Sequence, residues 1–190
     1  MKTAVYLGSH EGNDPIYMGT AYELGFRLAQ EGIGVIYGGA SIGTMGALAQ
    51  GVADAEGECT GVFPEGFKGR PDVEAAGIDI RKSRLTEDII VRDFSERKAV
   101  MERLSDCCIA LPGSWGTLDE LFTYATNTQL RFNGGKPLFV LNLEGYYDPL
   151  VTMVEKMLQE GFIDESSRNL LQFLPSVDAI VGALRVLKKK

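Results

Sequence analysis

Short runs of almost unbroken apolar residues recur along this chain, each closed by glycine or proline and followed by a helical pattern. Residues 2–8, 34–37, 59–63, 89–92, 107–111 and 137–141 read as strands, with a further short segment near 170–174. Strands that are apolar on both faces belong in a parallel sheet covered by helices on each side. Helical patterns fill the gaps. One starts at Pro15 and ends near Gly32, carrying Ala21, Leu24, Leu28 and Ala29 inward. Others run to Ala55, over 95–105, from about 115, over 147–160 and from Ser176. The expectation is one α/β domain over residues 1–190, a doubly wound, Rossmann-like parallel sheet flanked by helices. Residues 65–87, mixing Gly, Pro and charge, are expected to form a surface excursion. In such a sheet ligands collect at the carboxyl ends of the strands.

Two glycine turns stand at such ends. Pro112-Gly113-Ser114-Trp115-Gly116-Thr117-Leu118-Asp119-Glu120 follows the strand at 107–111 and opens a helix. The helical spacing groups Leu118, Leu121, Phe122 and Ala125 on one face and Thr117, Glu120 and Tyr124 on the other. A strand, a glycine turn and a helix start leave backbone N–H groups and the positive end of the helix dipole pointing outward, which suits phosphate. Thr117-x-x-Glu120 also fits a capping box, and glycine after a strand is ordinary loop chemistry. Taken alone, this turn does not decide between the two.

The second turn is Gly38-Gly39-Ala40-Ser41-Ile42-Gly43-Thr44-Met45-Gly46. Its glycine spacing matches a Walker A loop, but Thr44-Met45 stands where Lys-Ser/Thr is needed. A dinucleotide site would want G-x-G-x-x-G after the first strand and an acid ending the second. Here those places hold Gly8-Ser9-His10-Glu11-Gly12 and Tyr37-Gly38. Neither a magnesium triphosphate nor a redox cofactor fits; two donor-rich turns without metal equipment fit a monophosphate. No cofactor is expected.

Ser95-Glu96-Arg97-Lys98 reads as a helix start with Ser95 as N-cap, placing two cations in the first turn. Cations there oppose the helix dipole by about 0.3–1 kcal/mol each. A nearby anion or carboxylate offsets this, and Arg97 is placed to meet Glu120 across neighbouring strand ends. The plain alternative has Arg97 and Lys98 facing water or pairing with Asp93 and Glu102.

The 190 residues, 45% of them hydrophobic, suffice for one well-buried core. A net charge of −7 argues against a nucleic-acid surface, while a few local donors can still hold one phosphate. No run approaches the roughly 18 apolar residues of a membrane span. The first residues read as a strand and not a signal peptide. Cys59, Cys107 and Cys108 fall in strands without C-x-x-C spacing and read as buried thiols of a reducing cytoplasm. His10 is the only histidine, so a histidine-rich metal site is unavailable.

Taken together, G-G-A-S-I-G-T-M-G, E-R-K-A-V-M and P-G-S-W-G-T-L-D-E, in this order, resemble the LONELY GUY (LOG) family. Its members are cytokinin riboside 5′-monophosphate phosphoribohydrolases, often mislabelled lysine decarboxylases. The likeness extends from the Gly8-Ser9 strand end through Asn142-Leu143-Glu144-Gly145-Tyr146-Tyr147 to Glu160-Gly161-Phe162-Ile163. It implies a homodimeric enzyme acting on a small-molecule nucleotide, AMP or N6-modified AMP, with Arg97 and Glu120 as the catalytic pair. Substrate-binding positions implied are Gly8, Ser9, Gly38, Gly39, Gly43, Met45, Gly46, Lys98, Pro112, Gly113, Ser114, Trp115, Gly116 and Thr117. Beside Arg97 at a helix start, Glu120 is expected to stay ionised. Ala40, Ser95 and Ser114 depart from the family pattern, which has glycine, histidine and glycine there. The competing reading is a non-catalytic nucleotide or cofactor carrier of the same fold.

Overall fold

A computed structural model describes residues 1–67 and 86–189. The strands are β1 (Lys2–Tyr6), β2 (Gly34–Tyr37), β3 (Cys59–Pro64), β4 (Glu87–Val91), β5 (Cys107–Ala110), β6 (Leu138–Leu141) and β7 (Leu171–Leu174). They form one sheet in the order β4-β3-β2-β1-β5-β6-β7, and every neighbouring pair is parallel. Among the described residues seven helices flank it: α1 (Ile16–Gln30), α2 (Gly43–Asp54), α3 (Phe94–Leu104), α4 (Trp115–Gln129), α5 (Asp148–Gln159), α6 (Glu165–Arg168) and α7 (Val177–Leu187).

The doubly wound expectation holds, and its reason is visible in β1. Thr3 pairs with Val35 on one side and Cys107 on the other, so β1 is central. Its side chains alternate between two cores. Val5 and Leu7 join Leu24, Leu28, Leu48 and Ile180 beneath α1, α2 and α7. Ala4 and Tyr6 join Val100, Met101, Leu121 and Tyr124 beneath α3 and α4. The chain winds one way from β1 to β4, then crosses back to β5 on the other side of β1. That reversal leaves a crevice between the carboxyl ends of β1 and β5, where ligands bind in this architecture. All three cysteines are buried and unpaired.

Several local expectations shift. The β4 strand starts at Glu87, two residues before the expected position, and most of the expected excursion at 65–87 lies outside the described residues. Asp93, not Ser95, caps α3: its Oδ1 accepts the Glu96 N–H at 2.8 Å, while Glu96 accepts the Arg92 N–H at 2.8 Å. An aspartate followed three residues later by glutamate satisfies both ends of the turn, which outcompetes serine. Arg97 therefore sits past the first turn, and the acidic Glu96 occupies the favourable end of the dipole.

Helix α4 is rotated relative to its expected face. Thr117, Glu120, Leu121, Tyr124 and Ala125 point inward, while Phe122 is exposed. Glu120 lies on the buried side where α3 presents Arg97 to it, and Thr117 lies against Gly113.

Candidate active site at the strand ends

The α4 turn offers open donors. Ser114 takes the N-cap position without a side-chain cap bond, so the Thr117–Glu120 capping box does not form. The first helical N–H returned to the turn is that of Leu118, donated to the Ser114 carbonyl at 3.0 Å. Among the described residues the N–H groups of Trp115, Gly116 and Thr117 have no protein acceptor, as the first turn of a helix leaves them. Behind them Thr117 Oγ1 is fully buried and without a hydrogen-bond partner. An unsatisfied buried hydroxyl costs about 1–3 kcal/mol, and the Tyr124 hydroxyl is in the same state.

The turn is held shut from below. Tyr147 donates its hydroxyl to the Leu111 carbonyl at 2.7 Å, and Tyr146 donates to the Gly113 carbonyl at 2.6 Å. Gly113 is required because a Cβ there would overlap the Thr117 side chain. Ser114 at φ −101° sits in extended backbone, so the departure from glycine costs no strain there.

The turn at 38–46 behaves differently. Two of its amides, expected to face the ligand, are used inside the protein: Thr44 N–H reaches the His10 carbonyl at 3.4 Å and Met45 N–H the Gly8 carbonyl at 3.2 Å. The Thr44 hydroxyl adds a 2.7 Å bond to the same Gly8 carbonyl. This turn clamps the exit of β1. Close packing fixes its glycines: Gly39 adopts φ +80° against the Phe63 ring, and Gly43 adopts φ +55° against Ser9. Gly46 lies on the Ser41 carbonyl. Both turns converge on Gly8, where a Cβ would come within 3.6 Å of the Gly113 Cα and 3.7 Å of the Thr44 hydroxyl.

Arg97 and Glu120 do meet. Nη1 lies 2.9 Å from Oε1, with the side chains only 9% and 6% exposed. Arg97 Nε donates to the Val62 carbonyl within β3 at 3.0 Å, and its guanidinium lies 5.7 Å from the Phe94 ring. A Cβ on Gly38 would overlap the guanidinium, so that glycine admits Arg97 beneath β2. Burial is the larger influence on Glu120 and pushes its carboxyl above the usual range, with Arg97 pulling it back. That direction runs against the sequence-based expectation, which placed Glu120 near an exposed helix start. In the structure it lies one and a half turns into α4, where desolvation outweighs the dipole.

Lys98 pairs with Asp119 and not with Glu102. Its ammonium contacts both Asp119 oxygens at 2.7 and 2.8 Å and the Thr123 hydroxyl at 3.1 Å. Two adjacent residues of α3 thus pair with two adjacent residues of α4. The outer pair is half-open, the inner one sealed.

A cavity of about 240 Å³ opens in the crevice between β1 and β5. Of the residues named from sequence, Gly8, Pro112, Gly113 and Ser114 line it, whereas Arg97 and Glu120 do not. His10, Glu11, Gly12, Tyr17, Thr44 and Tyr146 complete the wall. Sequence reasoning singles out none of these six as a site residue, although Thr44 lies in the 38–46 turn expected to hold the phosphate. The Tyr146-Tyr147 pair stood inside a family-like stretch, but that two phenols brace the turn depends on tertiary contact. Trp115, by contrast, is 86% exposed, so only its backbone is placed to serve the turn. Among the described residues no group of three or more His, Cys, Asp and Glu is placed to hold a metal.

A family model described as "Possible lysine decarboxylase" matches residues 45–184. The cytokinin riboside 5′-monophosphate phosphoribohydrolase LOG1 of Arabidopsis thaliana is 37% identical over 183 residues, covering 96% of this chain and 82% of that one. The cytokinin riboside 5′-monophosphate phosphoribohydrolase LOG of Oryza sativa subsp. japonica is 37% identical over 180 residues, covering 95% and 71%. The chain belongs to the LOG family. In fold, this LOG-family chain is similar to the molybdenum cofactor binding protein of Rippkaea orientalis. That match has a TM-score of 0.69 at 21% identity and covers 98% of this chain and 96% of that one. The molybdenum cofactor carrier protein of Chlamydomonas reinhardtii gives 0.68 at 18%, covering 100% and 98%. Relatives of one fold therefore include proteins named as hydrolases and proteins named as carriers.

Proposed function

We propose that the protein hydrolyses the N-glycosidic bond of a nucleoside 5′-monophosphate, AMP or N6-modified AMP, to free base and ribose 5-phosphate. The observation that carries this reading is the α4 turn: three unpartnered N–H groups and an orphaned Thr117 hydroxyl, one and a half turns from a buried carboxylate–guanidinium pair. The turn takes the phosphate. Ionised Glu120 stabilises the positive charge that develops on the ribose as the bond breaks, or orients the attacking water. Arg97, anchored on Val62, fixes the carboxylate and the sugar. Relatives that are 37% identical over nearly the whole chain, and named for this reaction, support the same reading.

One observation favours a carrier instead: Glu120 is bonded to Arg97 and lies outside the lining of the crevice cavity. The two readings separate on turnover. With a chelator present and no cofactor added, the pure protein is expected to release ribose 5-phosphate from AMP. A carrier binds the nucleotide and releases nothing. A requirement for added dinucleotide contradicts the assignment of the turn.

The working form is proposed to be a cytoplasmic homodimer. Three buried, unpaired thiols suit a reducing compartment. Phe122, Leu130 and Phe132, exposed along and just beyond α4, supply an apolar face for a second copy. No described helix is long and apolar enough to cross a membrane.

A further inference from the structure

Lys98 is among the substrate-binding positions that the family resemblance implies, yet its ammonium is fully engaged within the protein. An ammonium has three N–H donors and no acceptor. At Lys98 all three donors find acceptors: the two Asp119 oxygens at 2.7 and 2.8 Å and the Thr123 hydroxyl at 3.1 Å. That hydroxyl is turned to receive it, because its own proton goes to the Asp119 carbonyl at 2.7 Å. The Lys98 side chain is 18% exposed and that of Asp119 is 59% exposed. To reach a phosphate, Lys98 would have to leave three partners.

The contact belongs to a row of polar ties between two helices. From α3, Arg97 meets Glu120 at 2.9 Å, Lys98 meets Asp119 and Thr123, and Glu102 accepts the Asn127 amide at 2.7 Å. Leu121 and Tyr124 bury α4 against the sheet, but apolar burial is non-directional. Directional bonds are what register one helix against the other. The Lys98–Asp119 bridge joins the residues immediately next to Arg97 and Glu120, so it governs where the Glu120 carboxylate stands.

We infer that Lys98 and Asp119 are positioning residues whose bridge sets the Glu120 carboxylate for catalysis, and that Lys98 does not hold the phosphate. The inference rests on the hydrolase reading. Three roles for Lys98 make different demands. As a phosphate ligand it would be needed for binding, and Asp119 would only compete for it. Acting through charge, the two would oppose each other: after burial and Arg97, the Glu120 carboxyl is raised by Asp119 and lowered by Lys98. Acting as a bridge, both residues are needed for the same thing, and losing either has the same effect.

The test measures kcat and KM for AMP in Lys98→Met, Asp119→Ala and the double variant. Misplacing a reacting group by about 1 Å can cost on the order of 100-fold in rate, and the remaining ties limit the shift here, so each single variant should lower kcat by about 10-fold. KM should stay within about twofold of the parent, since the α4 turn and its phosphate contacts are untouched. The double variant should be no slower than the slower single variant by more than about twofold, because both changes remove one bridge. An exposed ion pair adds little to stability, so the urea midpoint of Asp119→Ala should stay near the parent's and exclude unfolding as the cause. A raised KM with kcat intact in Lys98→Met would make Lys98 a phosphate ligand and overturn the inference. So would an unchanged or faster Asp119→Ala, or losses that multiply in the double variant. Those results overturn this inference alone, whereas a parent protein that cleaves no AMP overturns the hydrolase reading and this one with it.

Discussion

At the scale of single residues, the account turns on three buried polar groups, and each makes a measurable demand. Removing one member of a buried ion pair strands the other, at about 3–5 kcal/mol. Arg97→Met should therefore destabilise the protein by that amount in urea unfolding, and adding Glu120→Leu should recover most of the loss. A double variant no more stable than Arg97→Met would show that the 2.9 Å pair is not what holds these side chains.

Glu120 also has a pH signature. Because burial raises its carboxyl above the ordinary value of about 4.5, the folded state holds the proton more tightly than the unfolded chain. The unfolded state then binds fewer protons within the window between the two values, so stability attributable to Glu120 falls as pH rises from about 4.5 through the raised folded value. Relative to Glu120→Gln, the parent should lose stability across that window. A parent that gains on the variant as pH rises would mean Arg97 outweighs burial. Thr117→Val removes a hydroxyl that has no partner in the ligand-free protein. It should raise stability by about 1 kcal/mol and weaken AMP binding, seen as a higher KM. Equal affinity in both proteins would place the phosphate elsewhere.

At the scale of elements, the sequence was most legible where one signal dominated. Apolar runs located the strands, since strands such as β5, buried on both faces, have no polar residue to blur the pattern. The β4 edge strand, Glu87-Asp88-Ile89-Ile90-Val91, was placed two residues late because its exposed start carries acids. The α3 cap was misread because two capping residues, Asp93 and Ser95, compete within three positions, and only the Glu96 geometry decides. The rotation of α4 is hidden in the sequence because Glu120 is buried against Arg97 of α3 and Thr117 against Gly113, neither through hydrophobicity. The Arg97–Glu120 meeting was readable from motif order; the diversion of Thr44 and Met45 amides to β1 carbonyls was not, since it needs the register of α2 against β1. Three described non-glycine residues adopt left-handed backbone, Glu56, Arg131 and Glu144, the last at φ +47° in the short turn before Tyr146. Glu144→Gly should stabilise the protein by about 1 kcal/mol by relieving that left-handed backbone. An unchanged urea midpoint would show the strain is already relieved there.

At the scale of the whole molecule, the fold explains why two turns distant in sequence lie side by side. Chain reversal at β1 puts the ends of β1, β2 and β5 side by side, so Gly8 touches both the 38–46 clamp and the 113–117 turn. One turn is spent on rigidity and the other is left open. On the proposed reading, the open turn of α4 takes the single phosphate. The most direct test measures binding and a single turnover on the same samples of parent and Glu120→Gln with AMP. The account predicts affinities within a few-fold of each other and cleavage at least 100-fold slower in the variant. Equal cleavage rates in the two proteins, or tight binding by the parent without any ribose 5-phosphate formed, would contradict it.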